Sequence, residues 1–150
     1  MRTYPNLSEL STMAGETLGI SDWISVDQDR IRRFADATLD TQWIHVDEVR
    51  AAQSPFGGTI AHGFLTLSLL PAFVESAFCV ADTKMGVNYG LNRVRFTAPV
   101  PSGSRLRAHF KLLAFDSIEG GAQLTVEATI EREGSTRPVC IAESLIRQYI

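Results

Sequence analysis

Phe64-Leu65-Thr66-Leu67-Ser68-Leu69-Leu70-Pro71-Ala72-Phe73 is the stretch on which the fold turns. Wound as a helix and continued to Phe78, it is apolar around most of its circumference. Such a helix needs cover on several sides and cannot lie on a surface. Pro71 sits inside it, where a proline removes a backbone donor and crowds the preceding turn. A bend near Leu70 is therefore expected. Of the large apolar residues here, Phe64, Leu67, Phe73 and Phe78 are expected in the core.

Downstream the hydrophobic period changes to two. In Arg105–Ala114, Leu106, Ala108, Phe110, Leu112 and Ala114 point one way, and Arg105, Arg107, His109 and Lys111 the other. Leu124, Val126, Ala128 and Ile130 repeat the alternation. Turn residues punctuate the strands at Pro101-Ser-Gly103, Glu119-Gly-Gly121 and Glu133-Gly-Ser135. The back half thus reads as an antiparallel meander with one buried face and one polar face. Upstream, Trp23–Val26 suits a short strand. Asp27 can cap a helix over Gln28–Ala37 that sets Ile31, Phe34, Ala35 and Thr38 on one side. A curved antiparallel sheet wrapped around one central helix satisfies both patterns, an α+β hot-dog arrangement. No repeat, linker or low-complexity tract divides residues 1–150, so one domain is expected.

Composition narrows the function. A net charge of −3 argues against nucleic acid, whose phosphates call for concentrated Lys and Arg. The longest apolar segment, Ile60–Ala81, is interrupted by His62, Pro71 and Glu75, so it reads as a core helix and no membrane span is expected. Met1–Ser8 carries no apolar signal core, which makes the cytoplasm the default location. Cys79 and Cys140 lie in apolar surroundings and read as buried free thiols. Three histidines with no cysteine or carboxylate cluster in sequence point to no metal.

The chemistry concentrates in two places. Asp40 and His45 follow the first helix, on what reads as a loop. A carboxylate and a mostly neutral imidazole can hold a water between them and move its protons, work typically worth about 10²–10⁴-fold in rate. The same spacing also suits an aspartate turn beside a half-buried histidine, and spacing alone does not separate the two. His62-Gly63 opens the apolar helix, where backbone N–H groups lack partners and a glycine lets a ligand approach closely. An N–H aimed at a thioester oxygen would be worth about 3 kcal/mol as an oxyanion donor. A helix start with a tightly packed glycine reads equally well there, and the His62 side chain reads as structural. Arg93 and Arg95, with Arg105 and Arg107 expected on the next strand, either meet phosphates or form a solvated face.

Three blocks in order sharpen this: Asp40-Thr-Gln-Trp-Ile-His45, then Gly57-Gly-Thr-Ile-Ala-His-Gly-Phe64, then Asn88-Tyr-Gly-Leu-Asn-Arg-Val-Arg-Phe-Thr-Ala-Pro-Val-Pro-Ser-Gly103. Together they resemble the MaoC-like, or hydratase-2, family of (R)-specific enoyl-CoA hydratases and 3-hydroxyacyl-thioester dehydratases, over roughly Thr17–Ile150. The resemblance implies a hot-dog homodimer with its sheets joined edge to edge, and reversible syn addition of water to trans-2-enoyl-CoA. Coenzyme A is then part of the substrate, acyl carrier protein an alternative carrier, and neither metal nor redox cofactor is expected. By position, Asp40 and His45 match the acid/base pair and Gly63 the N–H that holds the thioester carbonyl. The family's commoner motif has Asn and Pro where this chain has Gln42 and Trp43. Gln42 keeps an amide on a longer arm, and Trp43 is expected to shape the acyl pocket. Two rivals share the ligand. One is a hot-dog thioesterase, which generally carries a carboxylate on the central helix, where this chain has only the late Glu75. The other is a non-catalytic acyl-thioester-binding subunit of a heteromeric dehydratase, which has no need of Asp40 and His45.

Overall fold

The computed structural model describes residues 1–150. Strands β1 (Arg2–Tyr4), β2 (Thr17–Ile20) and β3 (Ile24–Val26) lead into helix α1 (Gln28–Thr38). Short helices α2 (Trp43–Val46) and α3 (Glu48–Ala52) follow, then α4 (Gly63–Ser68) and α5 (Leu70–Ala77). The chain closes with β4 (Phe78–Val80), β5 (Met85–Phe96), β6 (Ser104–Ile118), β7 (Gly121–Arg132) and β8 (Pro138–Tyr149). The main sheet is antiparallel in the order β2-β6-β7-β8-β5, with β3 also on β6, while β1 and β4 form a small parallel pair.

The alternation read from β6 and β7 is the burial pattern found, except that a register shift between Leu112 and Ala114 ends it early and leaves Ala114 half-buried. Leu106, Ala108, Phe110, Leu112, Leu124, Val126, Ala128 and Ile130 are all buried, and they meet Leu65, Leu70, Phe73 and Ala77 of the central helices in one contiguous core. The sheet therefore wraps a helical axis in the hot-dog manner. The helix comes so close to β2 that a Cβ on Gly19 would sit 2.5 Å from the Ala77 carbonyl oxygen, so only glycine fits. Asp27 caps α1 as expected, accepting from the Arg30 N–H at 2.9 Å.

The bend expected near Leu70 is present as a break at Leu69 between two helices, with Pro71 in the first turn of α5, where its missing N–H costs nothing. Other expectations need correction. Phe78 belongs to β4. Phe64 is 68% exposed and leaves the core, while Leu67 is half-buried and packs against its margin. Arg93 and Arg95 on β5 are not beside Arg105 and Arg107 on β6, because β7 and β8 intervene. Arg105 pairs with Glu133 at 3.0 Å and Arg107 with Glu131, and both guanidinium groups cover the Trp23 ring. Cys140 is buried, its thiol pushed up to about 11 by burial, but Cys79 is only half-buried.

β5 ends the sheet. Its outer edge has no partner in the chain, yet it exposes Met85, Val87, Tyr89, Leu91 and Phe96. No helix is long and apolar enough to cross a membrane.

Candidate active site

α1 stops at Leu39, which turns the chain in the left-handed region at φ 62°. A non-glycine residue there carries roughly 1–2 kcal/mol of backbone strain. The turn delivers Asp40, and two residues later the chain winds into α2. His45 thus rides a one-turn helix, where the sequence suggested a loop.

That helix is clamped to the strand-like segment Thr59–His62. The Ile60 N–H donates to the Ile44 carbonyl at 3.0 Å, and His45 Nδ1 lies 2.7 Å from the Ile60 carbonyl oxygen. The segment is held in turn from below, Ala61 N–H donating to the Val100 carbonyl at 2.7 Å and Ser102 N–H to the Thr59 carbonyl at 2.9 Å. Gln28 of α1 adds a strut that sequence reading missed. Its amide donates to the His45 carbonyl at 2.7 Å while its oxygen accepts from the Thr59 hydroxyl.

These bonds fix the chemistry of His45. A carbonyl only accepts, so Nδ1 carries a proton and Nε2 keeps the lone pair. The ring is 6% exposed, and burial, with help from His62, holds its pKa below the ordinary 6.5. The Ile60 carbonyl and Asp40 pull the other way and do not prevail. Asp40 is the opposite case, its side chain 53% exposed and its carboxylate accepting just one long hydrogen bond, 3.4 Å from the Gln42 N–H.

His62 joins the pair. Its Nε2 lies 2.9 Å from the Asp40 carbonyl oxygen and 4.0 Å from Asp40 Oδ2, and its ring stacks on His45 with centroids 3.7 Å apart and planes at 24°. Asp40, His45 and His62 each offer an atom within 4.8 Å of the others, a cluster the sequence spacing hid. It is the obvious place to look for a metal site. The geometry does not suit one, because nitrogen lone pairs in two nearly parallel, stacked rings do not converge on a point, and Nδ1 of one ring and Nε2 of the other already hold carbonyls. Proton handling suits the set better.

His45 and Gly63 line one cleft of about 440 Å³, with Thr66, Ile44, Phe56 and Phe96 among its walls. The Gly63 N–H donates to no group of the chain. A Cβ on Gly63 would fall 2.7 Å from the Phe96 ring, so glycine is what keeps this wall and the N–H together. The structure brings none of Asp40, Gln42 and Trp43 into the lining of the cleft, although Asp40 stays beside it through its closeness to His45 and His62. Gln42 is exposed, and Trp43 lies under the Arg50 guanidinium at 4.3 Å. Phe56 and Phe96 occupy the wall expected of Trp43, and nothing in the sequence marks either as lining it.

Known proteins resemble this chain over most of its length. The family model of the MaoC-like domain matches residues 9–134. The 3-hydroxyacyl-thioester dehydratase Z of Mycobacterium tuberculosis is 51% identical over 148 residues, covering 98% of each chain. Nodulation protein N of Rhizobium leguminosarum is 50% identical over 141 residues, covering 91% of this chain and 87% of its own. Among solved structures, an R-hydratase from Pseudomonas aeruginosa superposes with a TM-score of 0.76 at 20% identity, over 97% of this chain and 88% of that one.

Proposed function

The chain belongs to the MaoC-like dehydratase family, and from that premise we propose that it is an (R)-specific hydratase adding water reversibly to trans-2-enoyl-CoA. The broader class, a hydro-lyase of fatty acid metabolism, is common ground with its relatives. One observation carries the finer reading. His45, with Nδ1 committed to Ile60 and Nε2 basic, shares a cleft with the unpartnered Gly63 N–H, and Asp40 stands beside them.

In this reading the thioester carbonyl accepts from Gly63 N–H, which stabilises the enolate charge that develops as water adds. Asp40 orients the water and His45 Nε2 takes its proton while the hydroxyl bonds to Cβ. The same proton then passes to Cα. Hydroxyl and proton arrive from one side because one water and one base serve both carbons, so the addition is syn. The thioester itself acidifies Cα, and the scheme calls on no metal or redox cofactor. The reverse sequence expels water from a 3-hydroxyacyl thioester.

We extend the proposal to a homodimer joined through β5. This twelve-residue edge strand exposes an apolar face, and its two register shifts, at Asn88/Gly90 and Leu91/Arg93, leave that face uncovered in a lone chain. Purified protein mixed with crotonyl-CoA should lose the enoyl absorbance without releasing thiol. Thiol release would mark a thioesterase, and binding without turnover a silent subunit. Asp40→Asn should retain the fold and lose about 10²–10⁴-fold in turnover. Near-normal turnover would remove Asp40 from the mechanism.

A further inference from the structure

The two members of the acid/base pair are held very unequally. His45 is fixed through its ring at Ile60, through its carbonyl by Gln28 and through its N–H by the Gln42 carbonyl at 3.0 Å. Asp40 has no such frame. It follows a strained left-handed residue, its side chain is half exposed, and its one short hydrogen bond is accepted by its backbone carbonyl from His62 Nε2.

His62 itself is 3% exposed and wedged between the His45 ring and Phe34, whose centroid is 5.0 Å away. Because the Asp40 carbonyl can only accept, Nε2 is the protonated nitrogen. Nδ1 is buried and makes no hydrogen bond at all. Leaving a buried ring nitrogen unsatisfied costs stability, roughly 1–3 kcal/mol, so a purely structural position would be better filled by an apolar ring of the same shape. The single polar contact that the imidazole makes is the one to Asp40.

We propose that His62 is a positioning residue for Asp40. Its Nε2–H anchors the Asp40 backbone, and so sets where the carboxylate stands relative to His45 and the water. The inference rests on the hydratase reading of the site. It separates His62 from catalysis proper, since the ring is 3% exposed and its one donor is held by the Asp40 carbonyl, whereas the Asp40 carboxylate is open to solvent.

Two substitutions separate its contacts. His62→Phe keeps a flat ring against His45 but loses the donor, while His62→Gln keeps an N–H donor at nearly the same reach but loses the ring. Displacing a reacting group by about 1 Å costs about 10²-fold. In steady-state kinetics with crotonyl-CoA, His62→Phe should lose about that factor in kcat with little change in KM, and His62→Gln should recover about tenfold of it. A folded His62→Phe with near-wild-type kcat overturns the proposal, as does a His62→Gln variant no better than Phe. Should either variant fail to fold, the histidine ¹⁵N spectrum of the wild-type protein decides: a proton on His62 Nε2 supports the anchor and one on Nδ1 refutes it. That spectrum also stands if the wild-type protein fails to hydrate any enoyl thioester, an outcome that sinks the hydratase reading instead.

Discussion

The Nδ1 atom of His45 lies 2.7 Å from the carbonyl oxygen of Ile60, fifteen residues further along the chain. This contact sets the tautomer, and burial sets the protonation. With its pKa below 6.5 chiefly through desolvation, the imidazole stays neutral and basic at pH values where an exposed histidine is already charged.

The pH profile follows. The acid limb of kcat/KM should have its midpoint below 6.5, because turnover needs His45 unprotonated. Stability should show the same group with a definite sign. Below 6.5 the unfolded chain takes up a proton that the folded chain still refuses, so stability falls as pH drops between the two pKa values and is unaffected above them. His45→Gln should abolish hydration and flatten that part of the stability curve. Urea unfolding of both proteins on either side of pH 6.5 checks it, and equal slopes would show that His45 is not the titrating group.

Gly63→Ala tests the cleft wall. The new Cβ would meet the Phe96 ring at 2.7 Å, and that ring, partly exposed, has room to swing aside. The fold should survive while the cleft changes shape, with kcat/KM falling about tenfold or more, the effect of one methyl group misplaced in a pocket. Gly63→Ala combined with Phe96→Ala should recover part of the loss. If the single variant equals wild type, the Gly63–Phe96 contact does not shape the substrate's path.

These cases show what sequence can carry. Burial of Leu106 through Leu112 and Leu124 through Ile130 was legible because a half-buried strand writes its burial directly into alternating residues. Asp40, His45 and Gly63 were legible because side-chain chemistry and a helix start leave local marks. His62 and Gln28 were not, since their partners are the backbone carbonyls of Asp40 and His45, and a carbonyl has no sequence signature. Phe64 misled for a related reason. An apolar residue records that it faces something apolar, without saying whether that is its own core.

Leu39→Gly should stabilise the protein. Leu39 is 85% exposed, so removing its side chain gives up little burial, and glycine adopts φ 62° freely. Relief of roughly 1–2 kcal/mol of strain, less roughly 0.5–1 kcal/mol for glycine's greater freedom when unfolded, leaves a gain of up to about 1.5 kcal/mol. Urea denaturation measures it. A loss instead would mean that the Leu39 side chain is covered in the working assembly.

The edge of β5 gives the last test. Val87, Tyr89 and Leu91 present an apolar surface along a strand whose outer hydrogen-bonding groups have no partner within the chain. Lone edge strands are usually guarded by lysine, proline or a bulge; β5 has register shifts at Asn88/Gly90 and Leu91/Arg93 but neither lysine nor proline, and its exposed apolar side chains are best covered by another strand. Wild-type protein should therefore run as a dimer in light scattering, and Val87→Lys combined with Leu91→Lys should run as a monomer. Both side chains are partly exposed in the single chain, so the charges should cost the isolated fold little. A variant that stays dimeric would place the interface elsewhere, and a monomeric wild type would leave the edge bare and the dimer refuted.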